Sequence, residues 1–293
     1  MSLTLLVGAA GHSWRSWLEG YGGGFCVADP HMGDFGYPGR VGVLVDGKIV
    51  EWRFVGSLEG TRNPLGLILG CLDLVRGWDD GVILGPEGRD SPASRQMFIN
   101  LAQATGVERI VMPEECGFAG WGWPVGPEEV AVSADFPVIV KDAQRRARWL
   151  SLLEDSGLHE VVLADVRVMG ARLGSGRRVD LGSGLAEVGG GVLHWVTREE
   201  VGEDRISGLV NEFHVGRVNL VDPRSYHGTV CSFAHEDGRD FAMGVVKRFD
   251  EGRGVLEVLS PAVVPAPVRI LKLGSLRVDS QGREIGEHAP WAV

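Results

Sequence analysis

The segment Gly8 to Ser16 reads GAAGHSWRS and follows an apolar run, Leu3–Val7. Such a run followed by a glycine loop and a helix start is where nucleotide phosphates sit, because backbone N–H groups and the helix N-terminus supply a positive field. The intact motif for that task is G-x-x-x-x-G-K-[ST]. Counted from Gly8, the second glycine position holds Ser13, the lysine position Trp14 and the hydroxyl position Arg15, with Ser16 one residue later. A lysine there reaches the transferring phosphate and neutralises developing charge, and the hydroxyl holds Mg²⁺. Indole carries no charge, and a guanidinium cannot ligate a cation. The candidate phosphate-contacting residues are therefore Gly8, Gly11, Ser13, Trp14, Arg15 and Ser16. Read from the residues alone, the same stretch is also an ordinary strand-to-helix turn.

Further candidates lie downstream. Asp29 ends the apolar run Phe25–Ala28, at the strand end where α/β proteins place ligands. It could hold Mg²⁺ through water or take a hydroxyl proton, or cap the turn before Pro30. Arg145 and Arg148 stand three apart on an amphipathic helix, Asp142–Leu153, where two guanidinium groups could clamp phosphates or simply face water. Arg172, Arg177 and Arg178, in the turn RLGSGRR, suit phosphate contact or a solvated turn. Trp121 and Trp123, in a glycine-rich loop, could stack on bases or anchor the loop. The eight histidines show no metal-ligand spacing, so no metal site is expected, and no nucleophile elbow is present.

The elements that must position these residues alternate. Leu3–Val7 and Phe25–Ala28 read as buried strands. Val41–Val45 and Ile49–Phe54 flank Asp46-Gly47, a two-residue hairpin signal. Asn63-Pro64 and Ser91-Pro92 each pair a capping residue with a proline suited to the first helical turn. Strands at Val82–Leu84 and Arg109–Met112 complete the series. This order predicts an α/β domain over residues 1–185, with a mainly parallel sheet and helices on both faces. The stretch LGSGLAEVGGG reads as a loose connection. Short apolar runs separated by Asp-Gly, Glu-Gly and Gln-Gly turns then predict a small C-terminal, mainly β domain over 186–293.

Composition narrows the class. The chain has 293 residues, 44% hydrophobic and 23% charged, and a formal net charge of −10. These are values of a globular chain, and the acidity argues against strong non-specific nucleic-acid binding while leaving room for a local basic site. Cys26, Cys71, Cys116 and Cys231 form no CxxC pair and read as free thiols of a reducing compartment. The start lacks a basic n-region, and no apolar stretch reaches membrane-spanning length. The expectation is a cytoplasmic protein without membrane association.

In their order along the chain, four segments resemble the RNA-processing polynucleotide 5′-hydroxyl kinase family. LLVGAAGHSWRSWL stands at the place of that family's phosphate loop. CVADPHMGDFGYPG is similar to its D-x-D-x-G-Q segment with a following Pro-Gly, Asp29 matching the second aspartate and Pro38-Gly39 the Pro-Gly. FVGSLEGTRNP resembles its aromatic-x-G-x-x-S/T-P segment followed by Asn-Pro. QRRARWL is similar to its lid, with Arg145 and Arg148 in Arg-x-x-Arg spacing. DGRDFAMGV and VLEVLSP resemble its C-terminal strands. The chain departs from the family at the phosphate-loop lysine, at Gly-Gln (here His31-Met32), and at Asn-Thr-x-Gly-Trp (here LGPEGRD).

The resemblance implies a P-loop NTPase-like fold. With three such departures, it implies a degenerate member serving as a non-catalytic binding or regulatory module, whose partner is RNA or a protein of RNA processing. Phosphate or sulfate could still bind near residues 8–16. The alternative is an active kinase using ATP and Mg²⁺ on a polynucleotide 5′-hydroxyl, with Arg15 replacing lysine, Asp29 as base or metal anchor, and Arg145 and Arg148 as the phosphate clamp.

Overall fold

The computed structural model describes residues 3–8, 24–31, 35–86, 91–113, 128–130, 137–261 and 268–288. The chain divides into two units, Met1–Trp149 and Leu150–Val293.

The first unit is built on a seven-stranded sheet in the order β4-β3-β2-β5-β1-β6-β7. Its strands are β1 (Leu3–Leu6), β2 (Gly24–Val27), β3 (Arg40–Val45), β4 (Lys48–Phe54), β5 (Gly81–Leu84), β6 (Arg109–Pro113) and β7 (Glu128–Val130). From β2 to β7 every pairing is parallel, whereas β3 and β4 add an antiparallel hairpin at one edge. The sheet is thus mixed, a coarser description than the mainly parallel one expected. The hairpin turns at Asp46 and Gly47, both at positive φ (48° and 72°). That is the geometry an Asp-Gly pair favours, because it matches the strands' twist.

Helix α1 (Pro64–Leu74) begins at Asn63, whose Oδ1 accepts the Gly66 N–H, and α2 (Pro92–Thr105) begins at Ser91, whose Oγ accepts the Ser94 N–H. Each has proline in its first turn, where the missing N–H costs nothing. Side-chain alternation along the strands separates two faces. Leu5, Cys26, Ile83, Ile110 and Met112 face α1 and α2 and pack against Leu67, Cys71, Phe98 and Leu101. Leu6, Val27, Val82, Leu84 and Val111 form the opposite face. Burying one leucine of this kind contributes about 2 kcal/mol. Both helices therefore cover the same face. The helix expected from Ser13 lies outside the described residues.

Helix α3 (Val138–Glu154) spans the division between the units. The second unit contains two sheets. The smaller runs β10-β11-β12-β13, from β10 (Arg177–Val179), β11 (Leu185–Gly189), β12 (Val192–Val196) and β13 (Arg217–Val221). Helix α4 (Glu203–Phe213) links β12 to the parallel β13, and its Leu209 packs with Ala186, Leu193 and Trp195 on one face. The larger sheet runs β18-β17-β14-β15-β16-β8, with β9 (Arg167–Met169) alongside β17. Its members are β8 (Gly157–Val162), β14 (Thr229–Ala234), β15 (Asp240–Asp250), β16 (Val255–Ser260), β17 (Ile270–Val278) and β18 (Glu284–Glu287).

The division after Trp149 lies earlier than the one expected near residue 185. The reason is pairing: β8 joins β16 and β9 joins β17, so segments before residue 185 are held in the second unit. The LGSGLAEVGGG stretch is not a loose connection, since it contains β11, paired on both sides. Among the described residues no helix is long and apolar enough to cross a membrane.

Candidate functional site

The carboxyl ends of β1, β5 and β2 lie side by side. The Gly85 N–H donates to the Leu6 carbonyl at 2.8 Å, and the Ala28 N–H to the Leu84 carbonyl at 2.7 Å. Gly8, at φ +69°, donates its N–H to the Pro86 carbonyl at 2.9 Å. Asp29 follows β2 at the same end of the sheet and is 2% exposed. Its Oδ1 accepts the His31 N–H at 2.9 Å, a turn in which the side chain organises its own backbone. Gly8 and Asp29 thus share one end of the sheet, although β5 separates their strands. Gly11, Ser13, Trp14, Arg15 and Ser16 lie outside the described residues, as do Trp121, Trp123 and Cys116.

Two of the sequence segments meet next to Asp29. The Gly39 N–H donates to the Pro30 carbonyl, and the Gly39 carbonyl accepts both Val55 and Gly56 N–H groups at 2.9 Å. Gly39 and Gly56 sit at φ +81° and +74°, a conformation that glycine adopts without strain. Asn63 extends the connection, since its Nδ2 donates to the Val55 carbonyl at 2.7 Å while its Oδ1 caps α1. The Pro38-Gly39 turn and the FVGSLEGTRNP segment are therefore one hydrogen-bonded assembly.

This assembly presents a cation that sequence reasoning missed. The Arg40 guanidinium lies 5.2 Å from the Tyr37 ring centroid and 5.3 Å from that of Trp52. A Cβ on Gly36 would come within 2.0 Å of its Nη2, so a side chain there would shift the guanidinium. Burial pulls the Arg40 pKa down to about 10, the Tyr37 interaction raises it, and the like charge of Arg148 lowers it. Among the described residues Arg40 has no ion-pair partner. Its signal was available: an arginine directly after Pro-Gly, with Tyr37 and Trp52 on flanking segments.

Arg145 and Arg148 part company. Arg145 is 5% exposed and paired with Asp142 one turn earlier, on the buried side of α3 with Trp149 and Leu152. Arg148 is exposed and electrostatically coupled to Arg40. The three-residue spacing does not place both on one solvent-facing side.

The second unit holds a polar row that is buried at its middle two members, Glu187 and His194. Arg178, Glu187, His194 and Asn219 are in direct register across β10, β11, β12 and β13. The Asn219 amide donates to His194 Nδ1 at 2.9 Å, which leaves the proton on Nε2, 3.3 Å from the Tyr226 hydroxyl. Burial, with a smaller contribution from Arg172, lowers the His194 pKa to about 4. Burial raises the Glu187 pKa, and hydrogen bonds from the Gly174, Gly176 and Ser175 N–H groups with the charge of Arg178 act against that rise. The glycine-rich basic turn therefore wraps an internal carboxylate. The sequence hid this row because Glu187 and His194 are single polar residues in the apolar runs LAEVG and VLHWV. Among the described residues no cluster of histidine, cysteine, aspartate and glutamate could hold a metal ion.

No protein-family profile and no curated protein matches the sequence. Solved structures do match. One describes an extended interface between Pcf11p and Clp1p and the structural basis of ATP loss in a glycine-to-arginine mutant. Its chain matches with a TM-score of 0.52 at 12% identity, covering 94% of this chain and 74% of that one. A wild-type Clp1p–Pcf11p complex matches with a TM-score of 0.49, also at 12% identity and with the same coverage. The likeness to the first of these is a likeness of fold.

Proposed function

We propose that this chain is a degenerate polynucleotide-kinase-like protein that acts as a non-catalytic binding module in RNA processing. The observation that carries the reading is the pair Trp14 and Arg15 at the lysine and hydroxyl positions of the phosphate loop, in a chain with a Clp1p-like fold. Transfer of a phosphoryl group needs a fixed cation over its oxygens and a metal bridging them. The loop supplies neither at the required positions. Gly8, Gly11, Ser13 and Ser16 would retain only a neutral cradle.

Arg40, directly after the Gly39 turn that bonds to Pro30, and Arg148 keep positive charge in the same unit, which supports phosphate or sulfate binding without turnover. Clp1p is found in complex with Pcf11p, and that supports a protein of RNA processing as partner. The free, buried thiols Cys26, Cys71 and Cys231 fit a reducing, cytoplasmic setting. A second reading, an active ATP- and Mg²⁺-dependent 5′-hydroxyl kinase, is favoured by buried Asp29 at the same sheet end as Gly8. Isothermal titration of the protein with ATP and Mg²⁺ separates the two. Weak or absent heat of binding is expected. Tight, Mg²⁺-dependent binding that disappears in Asp29→Ala would favour the kinase.

A further inference from the structure

A cavity of about 330 Å³ opens in the unit Leu150–Val293. Its lining includes the apolar side chains of Leu163, Val166 and Leu173, the backbone of Gly174, and the charged groups of Arg178 and Glu187. The volume lies at the lower end of the range of small-ligand sites. Arg167 also lines it, so two guanidinium groups and one carboxylate border a space with an apolar wall.

The sheet puts opposite charges side by side, and the neighbouring turn keeps them apart. Arg178 on β10 and Glu187 on β11 are directly in register, as Arg248 on β15 and Glu257 on β16 are in the larger sheet. The pair in the larger sheet closes to 2.5 Å. Arg178 Nε instead stands 3.8 Å from Glu187 Oε1, too far for a hydrogen bond. The cause is the turn. The Gly174 N–H donates to Glu187 Oε2 at 2.6 Å, and Ser175 and Gly176 add their N–H groups, which draws the carboxylate towards the backbone. A carboxylate offers about four acceptor sites, so these three donors leave it room for one more. The Glu187 side chain is buried and fixed, whereas that of Arg178 is 46% exposed and keeps its planar fork for a further acceptor.

A fixed but unclosed pair of opposite charges answers a molecule that carries the opposite pair at similar spacing. The carboxylate and ammonium of an α-amino acid are such a pair. The carboxylate can take two parallel bonds from the Arg178 guanidinium, and the ammonium can donate to the Glu187 carboxylate. Leu163, Val166 and Leu173 then cover an apolar side chain. A bare phosphate would satisfy the guanidinium groups but meet the like charge of Glu187. We propose that this cavity binds a free α-amino acid with an apolar side chain, held between Arg178 and Glu187. The proposal rests on the second unit alone and does not depend on the state of the phosphate loop.

The test is isothermal titration of the full chain with L-leucine at neutral pH, where saturable binding is expected. Leucinamide lacks the carboxylate and isocaproate lacks the ammonium. Each is expected to bind at least about tenfold more weakly, because each leaves one charge of the pair unanswered. Glycine, without the apolar side chain, is expected to lose about as much. Arg178→Ala and Glu187→Gln are each expected to weaken leucine binding about tenfold. Arg224→Ala removes a guanidinium that is closed on Asp222 away from the cavity lining, and is expected to leave affinity unchanged. Unchanged melting temperatures show that the variants fold, and the ligand series tests the proposal on the wild-type chain in any case. No saturable binding of leucine, binding of leucinamide or isocaproate as tight as that of leucine, wild-type affinity in Arg178→Ala and Glu187→Gln, or displacement of leucine by an equal concentration of inorganic phosphate would each overturn the proposal.

Discussion

Protonation of His194 is expected to destabilise this protein's second unit at mildly acidic pH. The imidazole is 3% exposed, and its two nitrogens are engaged by Asn219 and Tyr226. Arg172 opposes its protonation, and the Glu187 side chain stands in register with it on β11. Burial holds the folded pKa at about 4 against an ordinary value of 6.5. Above that ordinary value the histidine is neutral in both states and protonation costs nothing. As pH falls from 6.5 towards 4, the unfolded chain takes up a proton that the native state refuses, so stability falls through that window. The full difference corresponds to about 3 kcal/mol, a substantial part of a domain's stability. The assay is urea unfolding of wild type and His194→Gln across the window, followed by intrinsic fluorescence. The variant is less stable at neutral pH but is expected to lose about 3 kcal/mol less on acidification. Parallel pH profiles for the two proteins would refute a buried neutral His194.

Three other perturbations follow from packing. Asn63→Ala removes both the α1 cap and the bond to the Val55 carbonyl, and a loss of about 2 kcal/mol in chemical denaturation is expected. Gly170→Ala puts a Cβ 2.2 Å from the Leu273 carbonyl oxygen at φ +83°; thermal melting is expected to show a loss of about 2 kcal/mol or more. The Cys71 thiol is pushed up by its hydrogen bond with Cys26 and by burial, and Cys231 by burial. Mass-mapped alkylation should therefore leave Cys26, Cys71 and Cys231 unmodified until denaturant is added, and rapid native labelling of any of them would contradict their burial.

Local chemistry made part of this fold legible. Asp46-Gly47 gives the β3–β4 turn, and Asn63-Pro64 and Ser91-Pro92 start α1 and α2, because each signal acts within a few residues. What depends on distant pairing was not legible. Leu158 and Val168 belong to strands whose partners, Leu259 and Leu271, lie far along the chain, so nothing nearby in sequence assigned them to the second unit. Helix α4 escaped notice because only its Leu209 is buried and Gly208 interrupts its pattern. Two apolar runs, Val268–Leu271 and Leu276–Val278, read as separate strands, but β17 continues through Gly274 and Ser275. In the candidate site, Asp29 was legible from its position after an apolar run. Arg40 was legible only as an arginine directly after Pro-Gly, since its partners Tyr37 and Trp52 meet it only after the hairpin folds. By spacing Arg145 and Arg148 read as one pair, but α3 takes Arg145 inward with Trp149 and leaves Arg148 exposed.

The central claim concerns phosphoryl transfer. Trp14 stands where the cation should be, and Arg15 where the metal's hydroxyl ligand should be. Losing one preorganised donor of this kind costs about 3 kcal/mol, roughly a hundredfold in rate, and the loss here is of a charge and a metal ligand together. The most direct measurement is transfer of labelled γ-phosphate from ATP to 5′-hydroxyl RNA and DNA oligonucleotides, in Mg²⁺ and in Mn²⁺. The account predicts no transfer above background for the wild-type chain. Transfer clearly above background that is abolished by Asp29→Ala would contradict it and establish the kinase.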